Sequence, residues 1–351
     1  MTDVLCVFGT RPEAIKVAPV VEALRAHGLA VRVIATGQHT TLLDQDIVGR
    51  AMGEMSTLGI ASDGKLLRFL TRARNALRAV LSAATLPRVV LVQGDTMSAL
   101  VGALVAGDLG LPVAHVEAGV RSGSRSDPWP EELIRMTIDR QATWRYAPTQ
   151  TALRNLAKEG LDGIVVGNTS VDALRRYTSA TARPEASPTV LVTLHRRELQ
   201  RRADVHDVLQ ALCNAIAESH VRAVWPVHPT MHPLVAKLTV PANFLLRPPM
   251  AHATMCNALA EARGLVTDSG GLVEEAATLG VPTAIVRFAN DRPEAVAAGI
   301  AIQAPPTAAG VRFAVQQIAH GAIPRRPQSV YGDGTAAEQI AAHLVSALAT
   351  Q

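Results

Sequence analysis

Apolar runs of strand length alternate with stretches of helical periodicity along almost the whole chain, and that alternation constrains the fold more than any single motif. Val4-Leu5-Cys6-Val7-Phe8 is a continuous apolar run, as a strand buried on both faces requires. Gly9 permits a tight exit, and Pro12 suits a first helical turn, where a missing N–H costs nothing. Ile15, Ala18, Val21 and Leu24 keep helical spacing, and Gly28 offers a stop. The same reading gives a strand at 30–36, a helix at 65–84, a strand at 88–93, a helix at 97–109, a strand at 112–116, a helix from about 130 and a strand at 163–166. Residues 182–188 (ARPEASP) read as a linker. The pattern restarts with strands at 189–193, 222–227, 244–246, 264–267 and 282–286. Helices at 203–219, 251–261 and 271–279 fall between them, with a further short helix. Alternation of this kind predicts an α/β fold of two Rossmann-like domains, 1–181 and 182–334, with parallel sheets facing a central cleft.

Composition narrows the class. The 351 residues exceed one ordinary core. Hydrophobic residues make up 48% and aromatics only 3%, so the core must be aliphatic. A net charge of +4, with arginines spread rather than clustered, argues against nucleic acid as partner. Cys6, Cys213 and Cys256 lie far apart without CxxC spacing, which points to no disulfide framework, no metal and a reducing, cytoplasmic location. MTDVLCVF lacks a basic leader and reads as a first strand. No apolar run is long enough to span a membrane.

The residues with chemical potential gather at strand ends. Arg11, Glu13 and Lys16 follow the first strand, where open α/β sheets bind ligands. Asp95 closes the strand at 88–93, as a helix N-cap or as a base. Glu117 closes the next, and like-charge repulsion between two such carboxylates is one way to raise a pKa. The polar loop 119–130 leads to Glu131, Glu132 and Arg135. Acidic residues are favoured at a helix start for the dipole alone, and Arg135 falls one turn beyond Glu131. His195 ends the first strand of the second half, next to Arg196 and Arg197, and His228 ends a later one. Asp268-Ser269-Gly270-Gly271 joins a strand to a helix, where small residues and helix N–H groups admit a phosphate. Glu275 follows one turn on, within reach of ribose hydroxyls.

These segments occur in an order that resembles the non-hydrolysing UDP-N-acetylglucosamine 2-epimerases. The matching pieces are FGTRPEAIK at 8–16, TGQH at 36–39, LDQ at 43–45, QGDT at 93–96, HVEAGVRS at 115–122 and PWPEELIR at 128–135. APT at 147–149, VGNTSVDAL at 166–174, HRRE at 195–198, HP at 228–229, TDSGGLVEEA at 267–276 and DRPEAVAAG at 291–299 continue the series. The resemblance implies a GT-B-like enzyme that interconverts UDP-N-acetylglucosamine and UDP-N-acetylmannosamine, without cofactor or metal, as a homodimer. It implies acid–base roles for Asp95, Glu117 and Glu131, with His195 on the diphosphate side. It implies substrate contacts from Arg11, Lys16, Arg135, His228, Ser269, Gly270, Gly271, Glu275 and Arg292, and domain closure around the intermediate. A terminal helix at 335–351 is expected to return to the first domain, with Ala336, Ile340, Leu344 and Leu348 on one face. Gln38, His39 and Gln45 correspond to a second, activating UDP-sugar site.

The sequence departs from the family pattern at several places. Ile134 stands where asparagine is usual, which predicts weakened activation if that position faces the second nucleotide. Leu199, Gln200 and Arg201 follow HRRE unusually, and Asp291 replaces a glutamate. His252 and Met255 occupy the places of a tyrosine and a phenylalanine that line the base pocket. A hydrolysing epimerase, a GT-B glycosyltransferase and a silent UDP-sugar-binding regulator are the competing readings. The N-terminal FGTRPEAIK disfavours the first of these and the carboxylate set disfavours the other two.

Overall fold

The computed structural model describes residues 2–38, 51–62, 64–124, 128–182 and 187–350. They form two compact units, Met1–Arg176 with Gly332–Gln351, and Tyr177–Tyr331.

The first unit runs β1 (Val4–Phe8), α1 (Arg11–Ala26), β2 (Val31–Ala35), β3 (Met55–Thr57), α2 (Leu66–Ser82), β4 (Val89–Gln93) and α3 (Met97–Asp108). It continues through β5 (Val113–Val116), α4 (Glu131–Gln141), β6 (Trp144–Ala147), α5 (Gln150–Lys158), β7 (Ile164–Val165) and α6 (Thr169–Tyr177). The strands form one parallel sheet in the order β3-β2-β1-β4-β5-β6-β7. β1 and β4 are buried throughout, which is why Val4–Phe8 and 89–92 read as unbroken apolar runs. Leu5, Val7, Val90 and Val92 pack on Phe69, Leu77, Val101, Val105, Ile134 and Ile138 from the helices of one face.

The second unit runs β8 (Thr189–Thr193), α7 (Arg197–Gln200), α8 (Val205–Glu218), β9 (Arg222–Pro226), a 3-10 turn (Pro229–Met231), α9 (His232–Val235), β10 (Phe244–Arg247) and α10 (His252–Glu261). There follow β11 (Gly264–Thr267), α11 (Gly270–Leu279), β12 (Thr283–Val286), α12 (Pro293–Ala297), β13 (Ala301–Ala304) and α13 (Ala308–Ala319). Its parallel sheet has the order β10-β9-β8-β11-β12-β13. Val190, Val192, Val266 and Ala284 meet α8 and α13 in an aliphatic core. The chain then returns to the first unit as α14 (Ala336–Ala349), which packs on α1 with Ala336, Ile340, Leu344 and Leu348 buried.

Both sheets reverse direction at one place, between β1 and β4 and between β8 and β11. In an open parallel sheet the loops leaving such a pair diverge, and the crevice between them is where ligands bind. No helix among the described residues is long and apolar enough to cross a membrane.

Candidate active site

In the first unit the reversal point is closed by Glu13. Its carboxylate accepts the Gly9 N–H (3.1 Å), the Thr10 N–H (2.8 Å) and the Thr10 hydroxyl (2.8 Å) from the loop after β1. It also accepts the Thr96 hydroxyl (2.6 Å) from the loop after β4. Burial pushes its pKa up to about 7, against the pull of these donors. The turn has no room for a side chain at Gly9, where a Cβ would lie 1.9 Å from Ser98 Oγ and 2.3 Å from Thr36 Oγ1. Ser98 and Thr36 bond each other (2.8 Å), and Ser98 donates to Gln38 Oε1 (2.7 Å). His39 and Gln45 lie outside the described residues.

Asp95 does not cap the helix after β4. Thr96 does, its hydroxyl accepting the Ala99 N–H, which leaves Asp95 to pair with Arg135 (2.5 Å). Glu117 lies two strands from β1, yet Lys16 reaches it at 2.7 Å and the Gln93 amide donates to the same oxygen at 2.6 Å. Each strand-end carboxylate therefore has its own cation. Glu117 has φ 72°, a left-handed conformation that costs a non-glycine residue about 1 kcal/mol or more. Its side chain is buried with the Lys16 ammonium. Glu131 opens α4, and Arg135 also meets Glu132 at 3.2 Å. Arg11 is half-buried at the start of α1. Ile134 packs into the aliphatic core.

A triad of His115, Asp139 and Arg121 anchors these loops, with His115 and Asp139 fully buried. His115 Nδ1 lies 2.7 Å from Asp139 and Nε2 2.9 Å from the Gly94 carbonyl; the other Asp139 oxygen accepts the Gly119 N–H (3.1 Å) and pairs with Arg121 (2.7 Å). Gly94 and Gly119 flank Asp95 and Glu117, so the triad fixes both carboxylates. His115, Asp139 and Arg121 escaped the sequence reading because they lie up to 24 residues apart on β5, α4 and a loop.

The second unit repeats the device. At its reversal point Asp268 accepts the N–H groups of His195 and Arg196 at 2.8 Å each, and its second oxygen lies 3.3 Å from His195 Nδ1. The His195 ring stacks on His228 with centroids 5.6 Å apart, and His228 is held by Thr230 (2.9 Å). Ser269, Gly270 and Gly271 are half-buried at the start of α11. A Cβ on Gly270 would stand 3.7 Å from Arg292 Cζ, so the guanidinium flanks the helix start. Arg292 is clamped by Glu274 and Asp291, and Asp291 also pairs with Arg287. Burial pulls the Arg287 guanidinium below its usual range against the pull of Asp291, and Arg196 and Arg292 nearby pull it further down. Arg196 also stands near this helix start, its guanidinium donating to the Asp268 carbonyl at 2.8 Å. Glu275 is buried beside His252 (2.8 Å).

Two open parallel sheets, each with its charged groups at the reversal point, define a two-domain nucleotide-binding α/β enzyme. Residues 22–345 match the family model described as UDP-N-acetylglucosamine 2-epimerase. A probable UDP-N-acetylglucosamine 2-epimerase of Ralstonia solanacearum is 39% identical over 327 residues, 85% of this chain and 86% of that one. Among solved structures, the S. aureus MnaA–UDP complex superposes with a TM-score of 0.89 at 30% identity, covering 100% of this chain and 98% of its own. The Neisseria meningitidis UDP-GlcNAc 2-epimerase bound to UDP-GlcNAc gives 0.87 at 29%, covering 98% and 100%. The chain belongs to the UDP-N-acetylglucosamine 2-epimerase family.

Proposed function

We propose that the chain interconverts UDP-N-acetylglucosamine and UDP-N-acetylmannosamine without hydrolysis. The observation that carries this reading is the pair of strand-end carboxylates in the first unit, Asp95 beside Arg135 and Glu117 beside Lys16. A C2 proton is weakly acidic, and loss of UDP from C1 as that proton is removed avoids a discrete carbanion. The C2–H and C1–O bonds break, a C1–C2 double bond forms, and the product is 2-acetamidoglucal with UDP. Re-addition of UDP with protonation on the opposite face gives the epimer. Asp95, Glu117 and Glu131 supply the acid–base groups, each worth about 10²–10⁴ in rate. His195 and the arginines Arg196, Arg287 and Arg292 stabilise the departing diphosphate, with the N–H groups after Ser269. Glu275 takes the ribose hydroxyls, and Arg11 belongs with the substrate groups. Lys16 is read as the residue that positions Glu117.

The test is an incubation with UDP-N-acetylglucosamine in deuterated water, followed by NMR. Deuterium at C2 of a product that still carries UDP is expected. Protium retained at C2 would exclude proton removal. Accumulation of UDP and unattached N-acetylmannosamine would show a hydrolysing enzyme instead.

A further inference from the structure

His252 and Cys256 stand one turn apart on α10, and Glu275 approaches them from α11. All three are buried, and one ligand atom from each lies within 4.8 Å of the others. His252 Nε2 is 2.8 Å from Glu275 Oε1, Cys256 Sγ is 3.3 Å from His252 Nε2, and Sγ is 3.6 Å from Glu275 Oε2. An imidazole nitrogen, a thiolate sulfur and a carboxylate oxygen around a tetrahedral zinc stand roughly 3.4–3.6 Å apart, given bond lengths of about 2.0–2.3 Å. The thiol–carboxylate separation already matches, the imidazole–thiol one is slightly short, and the imidazole–carboxylate one needs the carboxylate to swing outward by roughly half an ångström. We propose that His252, Cys256 and Glu275 form a site for one borderline-soft divalent cation of the Zn²⁺ type, and that filling it excludes the nucleotide.

The donor set selects the cation. Thiolate and imidazole favour Zn²⁺ or Co²⁺ over Mg²⁺ and Ca²⁺, which take oxygen ligands. Three protein ligands leave a fourth position for water. Binding expels the Cys256 thiol proton to solvent and moves the imidazole proton from Nε2 to Nδ1, so affinity rises with pH. Nδ1 of His252 has no hydrogen-bond partner among the described residues, so metal binding leaves the new Nδ1–H without an acceptor and must offset that cost. The exclusion half of the proposal rests on the reading of Glu275 as the ribose ligand, because one carboxylate cannot serve both partners. The cation is not part of the reaction. It is an inhibitor made possible by the histidine and cysteine that stand beside Glu275.

The probe is Co²⁺ added to the reduced full-length protein. One equivalent should produce a thiolate-to-cobalt charge-transfer band, lost in Cys256→Ala and retained in Cys213→Ala. Affinity should fall by more than about a hundredfold in His252→Ala. No band in the wild type, or a band that survives Cys256→Ala, would overturn the site. Cys256→Ser serves if the alanine variant does not fold. Saturating UDP should weaken Co²⁺ binding at least tenfold, and Zn²⁺ should inhibit the wild type, whereas Cys256→Ala, compared with its own metal-depleted rate, should show no inhibition. Equal Co²⁺ affinity with and without UDP would overturn the exclusion. Failure of UDP to bind the metal-depleted protein would overturn the nucleotide reading and leave the charge-transfer result standing.

Discussion

Glu117 carries two burdens, a left-handed backbone and a buried ion pair, and a local helix or strand preference accounts for neither. Asp95→Asn, Glu117→Gln and Glu131→Gln keep shape and remove the base. Each should lower turnover by at least about a hundredfold with UDP affinity near wild type, as steady-state kinetics and calorimetry would report. Asp95→Asn should leave the helix start intact, since Thr96 caps it. Glu13 makes a different prediction, about pH. Its folded pKa of about 7 lies above the ordinary 4.5. The folded state therefore holds a proton that the unfolded chain releases. The contribution is complete below pH 4.5 and is lost as pH rises to about 7, on the order of 3 kcal/mol in all. Denaturant titrations across that window should show stability falling with pH in the wild type and a flatter profile in Glu13→Gln. A wild-type stability that rises over the same window would contradict the assignment.

The two strand-to-helix turns look alike in sequence and differ in what surrounds them. Gly9→Ala forces a methyl into the Ser98 and Thr36 hydroxyls and should destabilise by about 1–3 kcal/mol. Gly270→Ala meets only the Arg292 guanidinium at ordinary contact distance. That variant should fold as well as the wild type, yet bind UDP roughly tenfold more weakly because the methyl blocks the approach to the helix N–H groups. Thermal melts and calorimetry on the pair separate packing from binding. The central strands were legible because their middles are buried on both faces and apolar, as in β1, β4, β8 and β11, with polar residues only at the ends of β4, β8 and β11. Two strands nearer the sheet edges gave no such signal: Trp144-Arg145-Tyr146-Ala147 has two half-buried members, and Ala301–Ala304 includes the exposed Gln303. The charged residues were legible by position, at strand ends. Their partners were not, since Lys16 meets Glu117 across 101 residues and Arg135 meets Asp95 from another helix.

At the scale of the molecule, the first unit is built from both ends of the chain. Ile340, Leu344 and Leu348 of α14 are buried against it, Ala336 and Ala337 are buried with them, and His343 bonds the Tyr146 hydroxyl at 2.9 Å. Burying three large aliphatic side chains contributes on the order of 5 kcal/mol, comparable to the whole stability of a domain. A chain truncated after Asp333 should therefore lose hydrogen-exchange protection in β1, α1 and β4 while β8, β11 and α11 keep theirs. Protection that stays uniform would show that α14 is dispensable. The arrangement also sets an order of events during synthesis. Domains ordinarily fold in the order in which they leave the ribosome. Here the second unit is complete at Tyr331, while the first still awaits a helix that ends at Ala349. The half of the enzyme translated first is the half finished last, and its α1 face stays uncovered until residues 336–349 have been made.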